Sequence, residues 1–320
     1  MGSGNKKNKI LLIGGSGFIG LHLAKRLTDL DKKVTILCRN PEKVKKLEFA
    51  KSINLVKGDV TDFNSVKESI KNKDVIINLA SVVNSGPDFN PYPDLDANLK
   101  GQLNVLEARK KFNPNSKFIF IGSRAQFGKV AESDLPVAED QCQMPVSLYG
   151  IHKQAAENYC RLYKKAFNLN SIILRLSIVY GYDIIGENKF NTINNFIKEA
   201  LMNQKIHVHG YGKDVKDLLY VEDLADLMIK VIGSNVNDGI FNVGSGKKIT
   251  LLNIVKKIIV LCGSGSFESV PFPKESIGFE LGSFYFDISK VKNTFGWAPK
   301  TSVDEGLRET IEFYRSRGKK

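Results

Sequence analysis

Tyr149 and Lys153 stand four residues apart in Ser147-Leu148-Tyr149-Gly150-Ile151-His152-Lys153. On a helix that spacing stacks two side chains on one face, one turn apart. An ammonium beside a phenol favours the phenolate and draws the tyrosine's pKa towards neutrality. Such a tyrosine can exchange a proton with a sugar or alcohol hydroxyl. The spacing alone says little, because a lysine-rich chain with ten tyrosines supplies it by chance about once. Weight comes from a glycine-rich loop near the N-terminus and from Ser123, which lies between loop and pair.

The loop is Ile13-Gly14-Gly15-Ser16-Gly17-Phe18-Ile19-Gly20, with Gly14, Gly17 and Gly20 at G-x-x-G-x-x-G spacing. It joins a short apolar strand to a helix. There Gly14 and Gly17 let the backbone turn tightly and approach a pyrophosphate, which sits where Phe18 and Ile19 open the helix. Gly20 lets helix and sheet approach closely. A glycine turn without a ligand is the plain alternative, and the strand–loop–helix setting argues against it. The next strand ends Leu37-Cys38-Arg39-Asn40, without an acid. An acid there would bond a ribose 2′-hydroxyl, and an arginine suits a 2′-phosphate. Arg39 therefore favours NADP(H). NAD(H) is the alternative if Arg39 only lies on the surface or stacks on adenine. Asp59 and Val60 are placed to flank the adenine. Leu79, Ala80 and Ser81 follow a later strand and are placed to line the ribose and nicotinamide side.

These residues need a scaffold. The first half alternates apolar strands (Ile10–Ile13, Val34–Leu37, a third that runs into a loop over Asn54–Val60, Val75–Leu79, Phe118–Ile121, Ile172–Leu176) with helical segments such as Phe18–Leu30, Leu99–Lys111 and Leu148–Phe167. That rhythm indicates a parallel sheet covered on both faces. After about Ser177 the loops lengthen, notably Gly263 to Gly282. Helices are expected near Phe190–Leu201 and Val221–Ile232, and strands near Ile206–Val208 and Gly239–Val243. The expected division is a dinucleotide-binding domain over 8–176, with return segments near 215–245, and a mainly substrate-binding lobe over 177–320. The 320 residues, 42% hydrophobic, suffice for one large α/β domain or two lobes.

Composition narrows the class. No apolar run reaches the roughly 18 residues of a membrane helix, and no secretory signal is visible. Cys38, Cys142, Cys160 and Cys262 form no C-x-x-C pair and read as reduced thiols of a cytoplasmic protein. His207 and His209 share a strand face without a third ligand nearby, so no metal site is expected. The net charge of +13 suits anionic ligands such as dinucleotide or nucleotide-diphosphate phosphates. The lysines are dispersed and no RNA-binding pattern is present, so nucleic acid is not the expected partner.

Taken together, the chain resembles the extended short-chain dehydrogenase/reductases of the NAD-dependent epimerase/dehydratase, or nucleotide-sugar, group. The likeness rests on the glycine loop, Gly58-Asp59-Val60, Asn78-Leu79-Ala80, Asn98-Leu99-Lys100-Gly101, Ser123 to Gly128, Tyr149 with Lys153, and Leu174-Arg175-Leu176. It continues through Asp217 to Asp223, Phe241 to Gly246, Asp287 to Lys290 and Phe295 to Pro299. It implies a Rossmann-type doubly wound sheet with a smaller C-terminal lobe. It also implies a nucleotide-sugar substrate, a homodimer, Ser123 and Tyr149 on the reacting oxygen, and Lys153 on the nicotinamide ribose. Asn98 falls on the cofactor side, and Ser81, Arg124, Ser177 and Lys216 on the substrate side.

Departures from the pattern bear on the branch. The 4,6-dehydratases carry Asp-Glu just after the hydroxyl residue, where this chain has Arg124 and Ala125. Epimerases often have Phe-Asn before Val-Tyr-Gly; here Ser177 and Ile178 precede Val179-Tyr180-Gly181, as in ketoreductases. The arginine that often grips the diphosphate is Lys216, a point charge without a bidentate fork. With Arg39 these features tilt the reading to an NADP(H)-linked 4-ketoreductase, and a 4-epimerase with tightly bound NAD is the alternative. From another class, a dinucleotide-sensing or RNA-binding scaffold has no need of Ser123, Tyr149 and Lys153 together. Arg124 reads equally as a substrate contact or a surface arginine. The stretch 84–93 reads as a substrate cover or a plain connection.

Overall fold

The computed structural model describes residues 9–83, 90–186, 191–274, 278 and 280–318. Strands β1 (Lys9–Ile13), β2 (Lys33–Cys38), β3 (Asn54–Lys57), β4 (Val75–Asn78), β5 (Lys117–Ser123) and β6 (Ile172–Leu176) come first. Strands β7 (Ile178–Tyr180), β8 (Lys205–His209), β9 (Val215–Lys216), β10 (Leu218–Tyr220), β11 (Gly239–Val243), β12 (Ile249–Thr250) and β13 (Ser266–Val270) follow. The main sheet has seven strands in the order β11-β6-β5-β4-β1-β2-β3. Pairings β5–β4, β4–β1, β1–β2 and β2–β3 are parallel. The order reverses direction between β1 and β4, as in Rossmann-type sheets, whose ligands lie beyond the carboxyl ends of the strands at that point.

Helices α1 (Phe18–Asp29), α2 (Pro41–Lys45), α3 (Phe63–Ile70), α4 (Pro91–Leu95), α5 (Gly101–Phe112) and α6 (Leu148–Phe167) flank the sheet strands in sequence. On one face Leu11, Ile76 and Phe118 meet Val105 and Leu106 of α5 and Ala156 and Cys160 of α6. The strands are apolar along their length because they are covered.

Between α4 and α5 the chain is still helical, as a π-turn over Asp96–Lys100. The helix predicted from Leu99 therefore starts at Pro91. Proline is suited to a first helical position, and the Asn90 side chain accepts from the Tyr92 amide at 3.1 Å. Residues 90–93 of the Pro-rich stretch belong to this helix start, and residues 84–89 lie outside the described residues. The third strand ends at Lys57 and runs into a loop as expected, where Asp59 turns the chain by accepting from Thr61 N at 2.9 Å.

The chain packs into two compact units. The first comprises 1–126, 147–175 and 225–241; the second comprises 127–146, 176–224 and 242–320. In the second unit α7 (Thr192–Leu201), α9 (Leu251–Cys262) and α11 (Val303–Gly318) surround β8 through Ile197, Ile254, Ile258, Leu307 and Val208. The remaining helices are α8 (Val221–Gly233) and α10 (Ser289–Phe295). A small aromatic core of Phe127, Phe284 and Phe286 packs around Val137.

Candidate active site

Parallel register sets the first unit's site. Ile13 lies opposite Leu37 and Asn78, and Asn78 lies opposite Phe120. The Gly14–Gly20 loop, Arg39, Leu79–Ser81 and Ser123 thus all emerge from one edge of the sheet.

The glycine loop fits a pyrophosphate. Gly14 has φ +73°, and a Cβ there would lie 2.6 Å from the Ala80 Cα. A Cβ on Gly20 would lie 2.5 Å from the Gly15 carbonyl oxygen, so Gly20 closes the loop on itself rather than on the sheet. Gly15, outside the motif spacing, is as tightly held, 2.6 Å from the Leu12 Cβ. Gly17 caps α1 with no side-chain hydrogen bond, and it is exposed. The first amides of α1, at Phe18 and Ile19, are left for an anion. Arg39 is exposed at the end of β2. The Asp59 carboxylate is engaged by Thr61. Val60 is buried under Gly101, where a Cβ would approach its Cγ1 to 2.8 Å.

Tyr149 and Lys153 share one face of α6, whose first turn is capped by Ser147 Oγ accepting from Gly150 N at 3.1 Å. The Tyr149 hydroxyl is hydrogen-bonded to Ser123 and Ser81. Lys153 is buried, donates to the Ile121 carbonyl at 2.9 Å, and lies 5.7 Å from the centroid of the Tyr149 ring. Its ammonium thus serves the backbone of β5.

The expected neutral-range tyrosine is not what this geometry produces. Burial, the largest influence, pushes the Tyr149 phenol above its ordinary value; the Ser123 and Ser81 hydrogen bonds oppose it, and the Asp94 charge adds to it. Lys153 is itself drawn down to about 8 by burial, with Asp94 pulling the other way. Local spacing reports the ammonium but not the loss of solvent, and desolvation wins.

Ser123 is braced from below. Its amide donates to Gln126 Oε1 at 2.8 Å, and Gln126 Nε2 donates to Glu157 Oε2 at 2.8 Å. Arg175 grips the same carboxylate with Nε at 2.9 Å and NH2 at 2.7 Å. Burial pushes Glu157 up, but Arg175, Arg161 and Gln126 outweigh it and hold the carboxyl below its usual range. Gly122 makes room, since a Cβ there would strike Gln126 Oε1 at 2.6 Å. No local sequence signal marks Glu157 as part of the site, and Gln126 and Arg175 stand out in the sequence only as parts of motifs.

Asn98 sits in the π-turn. It accepts from Ser81 Oγ at 2.9 Å and donates to the Val82 carbonyl at 2.7 Å and to Asp94 Oδ1 at 2.6 Å. Such turns recur at functional sites because they redirect a side chain. Arg124 and Ala125 form a 3₁₀ turn beside Ser123. Ser177 and Lys216 belong to the second unit. The Ser177 hydroxyl is buried without a hydrogen-bond partner. Lys216 donates to the Gly282 carbonyl at 3.0 Å and lies 3.5 Å from Asp214 Oδ2. Next to it, the buried Asp217 accepts from Ser245 N and Oγ and from Phe286 N, at 2.7, 2.6 and 3.2 Å. That motif is thus a structural tie. Among the described residues no cluster could hold a metal ion and no helix is long and apolar enough to cross a membrane. All four cysteines are free thiols.

Residues 10–244 match the model of the NAD dependent epimerase/dehydratase family. The chain belongs to that family. A Methanocaldococcus jannaschii protein provisionally named UDP-glucose 4-epimerase is 30% identical, covering 96% of this chain and 98% of its own. A UDP-N-acetyl-alpha-D-glucosaminuronate decarboxylase of Bacillus cytotoxicus is 29% identical, covering 97% and 98%. Among solved structures, UDP-N-acetylglucosamine 4-epimerase from Methanobrevibacter ruminantium, in complex with UDP-N-acetylmuramic acid, is similar with a TM-score of 0.85 at 26% identity, covering 97% of this chain and 99% of that one. The protein is therefore an enzyme of the NAD-dependent nucleotide-sugar epimerase/dehydratase family. The family relatives differ in reaction, so the branch rests on individual side chains.

Proposed function

We propose that the protein reduces the 4-keto group of a nucleotide sugar, with Tyr149 as the proton donor and NADP(H) as the dinucleotide. The carrying observation is the Tyr149 hydroxyl held by Ser123 and Ser81 and kept protonated by burial. A bound nicotinamide supplies the hydride chemistry. The amides at Gly17–Ile19 would seat its pyrophosphate and Lys153 its ribose. Ser123 orients the substrate carbonyl, and Tyr149 delivers a proton to the oxygen as it becomes an alcohol. Arg124 and Ala125, in place of an acid pair, argue against dehydration. Arg39, exposed beside the loop, supports NADPH. Ser177 and Lys216 are the candidates for sugar and diphosphate contacts.

A second reading, 4-epimerisation with retained NAD, is supported by the names of the relatives. The purified protein separates the two. An empty site that takes up NADPH and consumes it with a UDP-4-keto sugar supports reduction, and tightly retained NAD with no net consumption supports epimerisation. For the shared site, Tyr149→Phe is expected to lower turnover by at least about 10²-fold while fold and dinucleotide affinity persist. Near-normal turnover would sink the assignment. Exposed Phe112, Ile151, Leu162 and Phe167 on α5 and α6 support a homodimer, to be checked by its mass in solution.

A further inference from the structure

Asp94 on α4 is fully buried and His152 on α6 nearly so, one residue before Lys153. Neither has a task in the proposed reduction. His152 Nδ1 lies 2.6 Å from Asp94 Oδ1. The same oxygen accepts from Asn98 Nδ2 at 2.6 Å, and that nitrogen also reaches the Val82 carbonyl at 2.7 Å. A carboxylate and a carbonyl only accept, so the amide nitrogen of Asn98 must face them and its oxygen must face away. There the oxygen accepts from Ser81 Oγ at 2.9 Å.

A serine hydroxyl carries one proton. While that proton points to Asn98, Ser81 can meet the Tyr149 hydroxyl only as an acceptor, which requires Tyr149 to keep its own proton. Ser81 lowers the Tyr149 phenol only by turning its proton towards Tyr149, which leaves the Asn98 oxygen, its present acceptor, unserved. The anchored amide opposes that turn.

We propose that Asp94 and His152 are positioning residues: their buried carboxylate–imidazole pair locks the Asn98 amide and, through Ser81, holds Tyr149 as a proton donor, the form that carbonyl reduction uses. The inference rests on Tyr149 being the acid of the reaction. Charge acts in the same direction, since the Asp94 carboxylate raises the Tyr149 phenol, though less than burial does. The other charged groups about this chain of bonds are few. Lys153 lies on α6 itself, and exposed Asp96 and Lys100 lie on the π-turn. Glu157, farther along α6, is closed off by Arg175. The neighbours from β5 and from the loop after β4, Ser123 and Ser81, are neutral.

The test needs no substrate. The near-ultraviolet phenolate absorbance of the whole protein is titrated with and without Tyr149→Phe, and the difference isolates Tyr149. In Asp94→Asn the Tyr149 step is expected at lower pH. In His152→Ala the carboxylate loses the partner that holds it against Asn98, and the step is expected at lower pH as well. His152→Asn, whose amide can donate to Asp94, is expected to return it towards the parent. A common downward shift that His152→Asn reverses is a signature that mere loss of packing does not produce. Should Asp94→Asn and His152→Ala both lose thermal stability with the step unmoved, or should Asp94→Asn match the parent, the proposal is overturned. Retained turnover in Tyr149→Phe would instead remove the proposed reaction and leave the titration to judge the pair by itself.

Discussion

A phenol that trades protons works in one direction more readily than the other, and burial sets which. Tyr149 is held above the ordinary phenol value, so it carries its proton throughout the neutral range. Reduction consumes that proton, and oxidation requires its absence. Reductive kcat/KM is therefore expected to stay level through neutral pH and to fall on the alkaline side, beginning as Lys153 loses its charge near about 8. A reductive rate that climbs with pH over that range would contradict the role. Arg39 makes a separate prediction. An exposed guanidinium that reads a 2′-phosphate supplies a charge-assisted bond, so Arg39→Ala is expected to weaken NADPH by roughly tenfold or more and leave NADH nearly unchanged. Equal losses for both dinucleotides, measured by fluorescence titration, would show that it reads something else.

At the scale of elements, the site hangs on turns and braces. Gly14→Ala places a side chain at φ +73° and against the Ala80 backbone, so it is expected to cost more than about 1 kcal/mol in urea unfolding and to abolish dinucleotide binding. Glu157→Gln leaves the Arg175 guanidinium buried without its carboxylate. A loss of about 3–5 kcal/mol is expected. Because Glu157 lies below the usual carboxylate range, its contribution is present at neutral pH. It is lost only as pH falls through the depressed folded value, so the parent and variant stabilities should converge in strong acid. The elements themselves were largely legible. Apolar runs marked β1 and β6, and the alternation of strands with helical segments marked α6 at Leu148–Phe167. The start of α4 was hidden because Asn90-Pro91-Tyr92-Pro93 has the composition of a loop, although proline is at home in a first helical turn. The Asp94–His152 contact spans 58 positions, and no local pattern reports it. The same holds for the brace from Glu157 through Gln126 to Ser123. Tyr149 and Lys153 are partners by spacing, but how strongly the surrounding protein excludes water from that phenol is a property of the folded chain.

For the whole molecule, a net charge of +13 draws anionic ligands from solution, and salt screens that attraction. Dinucleotide association rates are expected to drop with ionic strength more than dissociation rates do, which stopped-flow fluorescence can measure. The chain's path has another consequence. The first unit takes its last piece from 225–241, and β11 completes the sheet beside β6 only after residues 177–238 have been passed. During synthesis at about 5–20 residues per second, β6 therefore waits for seconds with an open hydrogen-bonding edge. An unpaired strand edge is a template for another nascent chain. Ribosome stalling or truncation before Gly239 should thus yield aggregation-prone fragments that carry every residue of the proton-transfer site yet cannot close the sheet beneath it.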